Sequence, residues 1–158
     1  MTISILKYIR HVLLCFLYAL PARKQHSPGK LNQPIYSRTQ QYARNESDSP
    51  KLSPTDVLHI QQVVGSLLYY ALAVDCTLLV ALGDLGSVQT QATEETLDNT
   101  ILLLNYVATH PNVSVTYVAS DMCLHTHSDA SYLSVPKGRS RAGGDFFLLF
   151  STHIFVNT

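Results

Sequence analysis

Hydrophobic residues recur along this chain at two periods, and the point where the period changes marks a change of structure. Ile5, Ile9, Val12, Leu13, Phe16, Leu17 and Leu20 form one stripe at intervals of three and four, which predicts an amphipathic helix over residues 1–20. Val57, Ile60, Val63, Val64, Leu67, Leu68 and Ala71 repeat that spacing. Ser53 can cap the free amides ahead of them, Pro54 suits the first helical position, and Asp56 favours the positive end of the helix dipole. Gly65 costs about 1 kcal/mol relative to alanine inside a helix, so its presence predicts close approach of another backbone. The pattern breaks near Asp75, and a nearly all-apolar helix is expected from Thr77 to about Leu85, its end weakened by Gly83 and Gly86. For a further helix Thr93 is the cap, Glu94 and Glu95 favour the N-terminal dipole, and His110-Pro111 closes it. Leu97, Ile101, Leu104 and Ala108 are its expected buried stripe.

Beyond Asn112 the period becomes two. Val113, Val115 and Tyr117 alternate with Ser114 and Thr116, a strand signal. Ala119-Ser120-Asp121 reads as a turn and Met122 to Asp129 as a second strand. Its faces separate Met122 and Leu124 from Cys123, His125, His127 and Asp129. A basic loop from Pro136 to Arg141 follows, and Gly143-Gly144 leads into Phe146 to Phe150, expected as a buried strand. Five of the seven prolines (Pro21, Pro28, Pro34, Pro50, Pro54) fall in residues 21–54, where they remove backbone donors and oppose helix, so this stretch reads as a linker. The expected class is α+β, a helical region followed by the first strands of a mixed sheet. Its parts are an N-terminal helix over 1–20, a basic Pro-rich linker over 21–54, helices over 55–111, strands over 112–150 and a tail over 151–158.

Charge changes this picture. Net charge is zero, but eight Lys and Arg face two acids up to Lys51, whereas residues 52–136 hold eight acids and no Lys or Arg. A basic arm therefore precedes an acidic globular part. Charged residues make up only 14% of the chain, against about 25% in typical domains, which suggests a core-rich piece of something larger or a membrane-associated protein. Two stretches invite a membrane reading. Residues 1–22 carry Lys7 and Arg10, an apolar run from Val12 to Leu20 and then Pro21-Ala22, the layout of a signal peptide and so of a small secreted or membrane-anchored protein. Val63 to Leu82 has a membrane's width, but it contains Asp75, and a charge at that depth costs about 2.5–3.5 kcal/mol; buried helices and no membrane are expected. Cys15, Cys76 and Cys123 have neither metal-knuckle nor redox spacing, so they read as reduced, buried thiols of an intracellular protein.

The candidate chemistry lies on one strand. His125-x-His127-x-Asp129 projects three possible ligands from one face, but same-face neighbours stand about 6.5–7 Å apart along a strand, too far to grip one zinc ion together. Histidines on a half-buried sheet face are the plainer reading. Asp129 alone suits a hard cation such as magnesium, although two-metal phosphodiester cleavage requires several converging carboxylates.

Four segments, in order, carry a resemblance. They are Lys24-Gln25-His26-Ser27-Pro28 with Gln33-Pro34-Ile35-Tyr36; Ile60 to Ala71; Leu103 to Pro111; and His125 to Leu133, continuing through Lys137, Arg139 to Gly144 and Phe146 to Leu148. From about Tyr8 to Phe150 the chain resembles the part of copia-type LTR retrotransposon polyproteins that runs from the end of reverse transcriptase into RNase H. The resemblance implies a helical connection region followed by the first strands of an RNase H-like mixed sheet. It also makes Tyr8 to Phe16 a packing helix and Asp129 the first magnesium-binding carboxylate of RNase H. The family's other carboxylates come from later elements; here only Asp145 follows, where an aromatic residue or histidine is expected, and no Tyr-x-Asp-Asp polymerase motif occurs. Both active sites are therefore expected to be incomplete, with polymerase and RNase H segments absent. The expected product is a polyprotein remnant without independent catalysis, ancestrally engaging an RNA–DNA hybrid. Arg23, Lys24, Lys30, Arg38 and Arg44 of the basic arm suit a phosphate backbone. Residual magnesium-dependent RNase H activity completed in trans is the enzymatic alternative.

Overall fold

The fold is given by a computed structural model that describes residues 1–16, 18, 21–30, 49–135 and 139–149. Arg38, Arg44, Ile35 and Tyr36 of the expected linker, Pro136-Lys137-Gly138, and the tail from Phe150 lie outside the described residues. In chain order the elements are β1 (Thr2–Ile3), α1 (Leu6–Cys15), α2 (Pro54–Ala73), α3 (Leu79–Val88), α4 (Glu94–Thr109), β2 (Val115–Thr116), β3 (Cys123–Val135) and β4 (Arg139–Leu149). The chain is therefore α+β. It divides into two compact units, one holding the described residues up to Thr116 and the other those from Tyr117.

The core of the first unit is built from α1 to α4. In α1, Ile9 and Val12 are buried, with Ile5, Leu13 and Phe16 packed beside them, as the stripe predicts; Leu17 and Leu20 lie outside the described residues. Thr2 and Ile3, expected in the helix, instead form β1 and pair antiparallel with Thr116 and Val115. Their β-branched side chains favour an extended backbone, and the two threonine hydroxyls meet at 3.0 Å.

Ser53 is extended ahead of α2, and its hydroxyl accepts from the Asp56 N–H at 3.3 Å while donating to the Asp56 carboxylate at 2.7 Å. Ile60, Val63, Val64, Leu67 and Ala71 are buried as expected, whereas Leu68 is 42% exposed and Tyr70, an unexpected core residue, is buried in its place. Gly65 also departs from expectation. It is exposed, and a Cβ built on it meets nothing within 4 Å, so no backbone of the described residues approaches. Gly65→Ala should consequently stabilise the unit by about 0.5–1 kcal/mol through helix propensity alone, read as a higher urea midpoint. A lower midpoint would mean that the position is not free.

The apolar helix after Asp75 begins as a 3-10 turn, Cys76–Leu78, and α3 continues through Gly83 and Gly86 to Val88 rather than ending near Leu85. Buried Leu82 and Leu85 anchor it on the core across both glycines. In α4 the expected cap is present: the Thr93 N–H donates to the Thr96 hydroxyl at 3.1 Å, and His110 closes the helix. The buried face, however, is rotated. Ile101 is 42% exposed, while Thr96, Thr100, Leu103, Leu104, Val107 and Ala108 are buried. The Thr100 hydroxyl donates back to the Thr96 carbonyl at 2.8 Å, which satisfies it inside the core. Among the described residues no helix is long and apolar enough to cross a membrane.

The second unit is an antiparallel hairpin. β3 pairs with β4 from Cys123↔Leu149 to Ser131↔Arg141, and an irregularity between Ser131 and Val135 shifts the register to Val135↔Arg139. β3 thus runs six residues past its expected end at Asp129, and Arg139, Arg141 and Gly143-Gly144 lie within β4, not in a loop before it. The expected strand from Val113 to Tyr117 shortens to β2, which pairs with β1 and not with the hairpin. Met122 enters β3 with φ of 60°, a left-handed conformation uncommon outside glycine. The expected burial is overturned at Phe146 and Leu148, while Phe147 is half-buried and Phe150 lies outside the described residues. Leu124, Phe146 and Leu148 are 67%, 68% and 44% exposed, because two strands have no second layer of their own. The cysteines are free as expected but not buried: Cys15 and Cys76 are exposed and Cys123 is half-buried.

Candidate functional site

Strand alternation fixes the candidate site. Cys123, His125, His127 and Asp129 share one face of β3, and residues directly opposite share that face, so Phe147, Asp145 and Gly143 of β4 join them. His125 stacks on Phe147 at 5.7 Å between centroids and 12° between planes, and His127 meets the same ring edge-on at 5.1 Å. Phe147 is half-buried by these contacts, and the two histidines are thereby aromatic packing partners. Among the described residues no three of His, Cys, Asp and Glu are placed to hold a metal ion.

Asp129 is exposed, and its Oδ1 accepts from the Ala130 N–H at 2.8 Å, a local bond within its own strand. Its cross-strand partner is Gly143, which carries no side chain to cover it, and a Cβ built there meets nothing within 4 Å. Asp145 lies on the same face one pair further along, opposite His127. A diagonal of that kind separates Cα atoms by about 7–8 Å. One carboxylate with open water around it can hold a hydrated magnesium ion weakly, whereas two diagonal carboxylates do not supply the converging set that a pair of ions about 3.5–4 Å apart requires.

Of the basic arm, Arg23, Lys24 and Lys30 are exposed and belong to the first unit; Arg38 and Arg44 lie outside the described residues. The arm's first stretch is fastened to the end of α4. Gln25 donates its backbone N–H to the Thr109 hydroxyl at 3.1 Å, and His26 Nδ1 lies 3.2 Å from His110 Nε2.

A polar network near that point was not predicted. Asp75 is 4% exposed, and its carboxylate accepts from the Thr77 hydroxyl at 2.5 Å, which in turn lies 3.2 Å from the Tyr106 hydroxyl. Tyr70 is buried, and apart from an approach to the Val113 backbone that falls short of hydrogen-bond geometry its hydroxyl finds no partner among the described residues. Burial, followed by the charge of Asp75 and then Tyr106, pushes the Tyr70 phenol up to about 12. The one sequence signal for the network was the charge of Asp75 inside an apolar run, which marked a helix end and spoke against a membrane span. Comparisons of the chain with protein-family models, with curated proteins and with solved structures find no match.

Proposed function

We propose that this chain is the portion of a copia-type retroelement polyprotein that joins reverse transcriptase to RNase H, a remnant that engages an RNA–DNA hybrid weakly and does not cleave it alone. The observation that carries this reading is the order and spacing of the four resembling segments, which span helices, basic arm and Asp129 strand alike. Its supports include an antiparallel strand that presents Asp129 uncovered opposite Gly143, and exposed cations at Arg23, Lys24 and Lys30. In this reading the RNase H-like sheet starts at β3, Asp129 is an inherited magnesium ligand, and the protein works inside the cell. Within the described hairpin Asp129 has no converging carboxylate, because Asp145 stands on the diagonal opposite His127, and this reading assigns the absence of cleavage to that geometry.

The test uses the full chain with a labelled RNA–DNA hybrid and magnesium, beside Asp129→Asn. No cleavage above the background without protein is expected from either. Retention on the hybrid should fall about 40-fold between 50 and 200 mM salt if three cations meet phosphates. Binding that ignores salt would remove the nucleic-acid reading. The exposure of Asp129 favours one second reading, an RNase H completed in trans; cleavage abolished by Asp129→Asn would establish that reading instead.

A further inference from the structure

We propose that His26 and His110 form a pH-sensitive latch that fastens the start of the basic arm to the end of α4. The two ring nitrogens stand 3.2 Å apart, with centroids 5.2 Å apart and planes tilted by 57°, so one imidazole donates and the other accepts. A second bond lies one residue away, where the Gln25 N–H donates to the Thr109 hydroxyl, itself tied to the Asn105 carbonyl at 2.7 Å. The arm is thus held at two adjacent residues, and one hold is a bond between two bases.

Proton count decides whether such a bond survives. With both rings neutral it is an ordinary N–H···N bond. One added proton makes it charge-assisted and stronger, because a donor and an acceptor remain. A second proton leaves two donors and two like charges at 3.2 Å, and the bond becomes a repulsion.

His110 is the ring on the helix side of the pair. It caps the C-terminus of α4, where the helix dipole favours a cation, and its backbone N–H closes on the Tyr106 carbonyl. Among the described residues the charged and titratable groups toward the pair can be named element by element. On α4 the Tyr106 ring lies 5.0 Å from that of His110. The Tyr106 hydroxyl leads through Thr77, on the 3-10 turn, to the buried Asp75, so the acid is separated from the pair by two neutral side chains. On the arm itself the charged residues between 21 and 30 are the exposed cations Arg23, Lys24 and Lys30. Histidine is the side chain whose charge answers to mild acid, so acidification is what can load this pair with a second proton. At neutral pH the start of the arm is docked on α4; in acid, once both rings carry protons, that hold is lost.

The Gln25 amide reports the docked state. In the full chain, its hydrogen-exchange protection, corrected for the intrinsic rate, should fall at least fivefold from pH 7.5 to pH 5. The buried Leu103 amide should keep its protection throughout. His26→Gln and His110→Gln retain hydrogen-bonding groups that do not titrate, so both should hold Gln25 protection level across the range. The latch is overturned if wild-type Gln25 is equally protected at both pH values, if it is unprotected at both, if Leu103 falls with it, or if either Gln variant shows the same fall.

Discussion

Leu67→Ala should lower the stability of the first unit by about 2–5 kcal/mol, the range that follows when a fully buried leucine leaves a cavity. Leu67 is 0% exposed at the middle of α2, in the cluster that also holds Ile9 of α1 and Leu103 of α4. Truncation there opens a cavity inside that shared cluster. Domains of this size are stable by about 5–15 kcal/mol, so the substitution would consume a large share of the total. Urea denaturation followed by circular dichroism checks it, with a lower midpoint and an unchanged slope as the expected result. The neighbouring Leu68→Ala is the control. The hydrophobic pattern ranked both leucines as core, but Leu68 is 42% exposed, and its loss should cost under about 1 kcal/mol. Equal costs at the two positions would mean that α2 is rotated from the orientation described, or that its outer face is covered.

The ends of α2 and α4 were legible because capping is local. Ser53-Pro54 and Asp56 satisfy or complement amides within one turn, and His110-Pro111 stops a helix whatever packs beside it. The buried faces were less legible. A threonine counts as polar in a hydrophobic pattern, yet Thr96 and Thr100 are buried because the Thr100 hydroxyl is satisfied by its own helix, and this turns Ile101 outward. β1 escaped altogether. Thr2 pairs with Thr116, and no residue near either announces a partner so distant in sequence. At the candidate site the alternation of His125, His127 and Asp129 was readable, since a period of two needs no partner. What lies opposite was not. Phe147 against the histidines and Gly143 against Asp129 depend on the hairpin register, which the irregularity between Ser131 and Val135 helps to set. The distance argument against a three-ligand zinc site needed only strand geometry. The role of Phe147 in holding both imidazoles needed the fold.

Tyr70→Phe should flatten the loss of stability at alkaline pH and leave the protein at least as stable near pH 8. In the folded chain burial and the nearby Asp75 raise the phenol from 10.0 to about 12. The direction of the effect follows from proton count. Above pH 10 the unfolded chain releases the phenolic proton while the folded chain keeps it, so the unfolded state binds fewer protons and is favoured as pH rises. The contribution is complete below pH 10 and is lost as pH passes through 12, about 2–3 kcal/mol in all at 1.36 kcal/mol per unit. Phenylalanine has no proton to lose, so that component disappears. Tyr8 and Tyr18, whose phenols burial also raises, leave the variant a residual slope. Near pH 8 the substitution removes a buried hydroxyl without a good hydrogen bond, and replacing such a group by an apolar one of the same shape is neutral or stabilising by about 1 kcal/mol. Urea midpoints at intervals from pH 8 to 11 test both parts. Parallel curves for the two proteins would show that the Tyr70 hydroxyl reaches water. A large loss at pH 8 would show that it has a partner, and Asp75 would then be the first acceptor to examine.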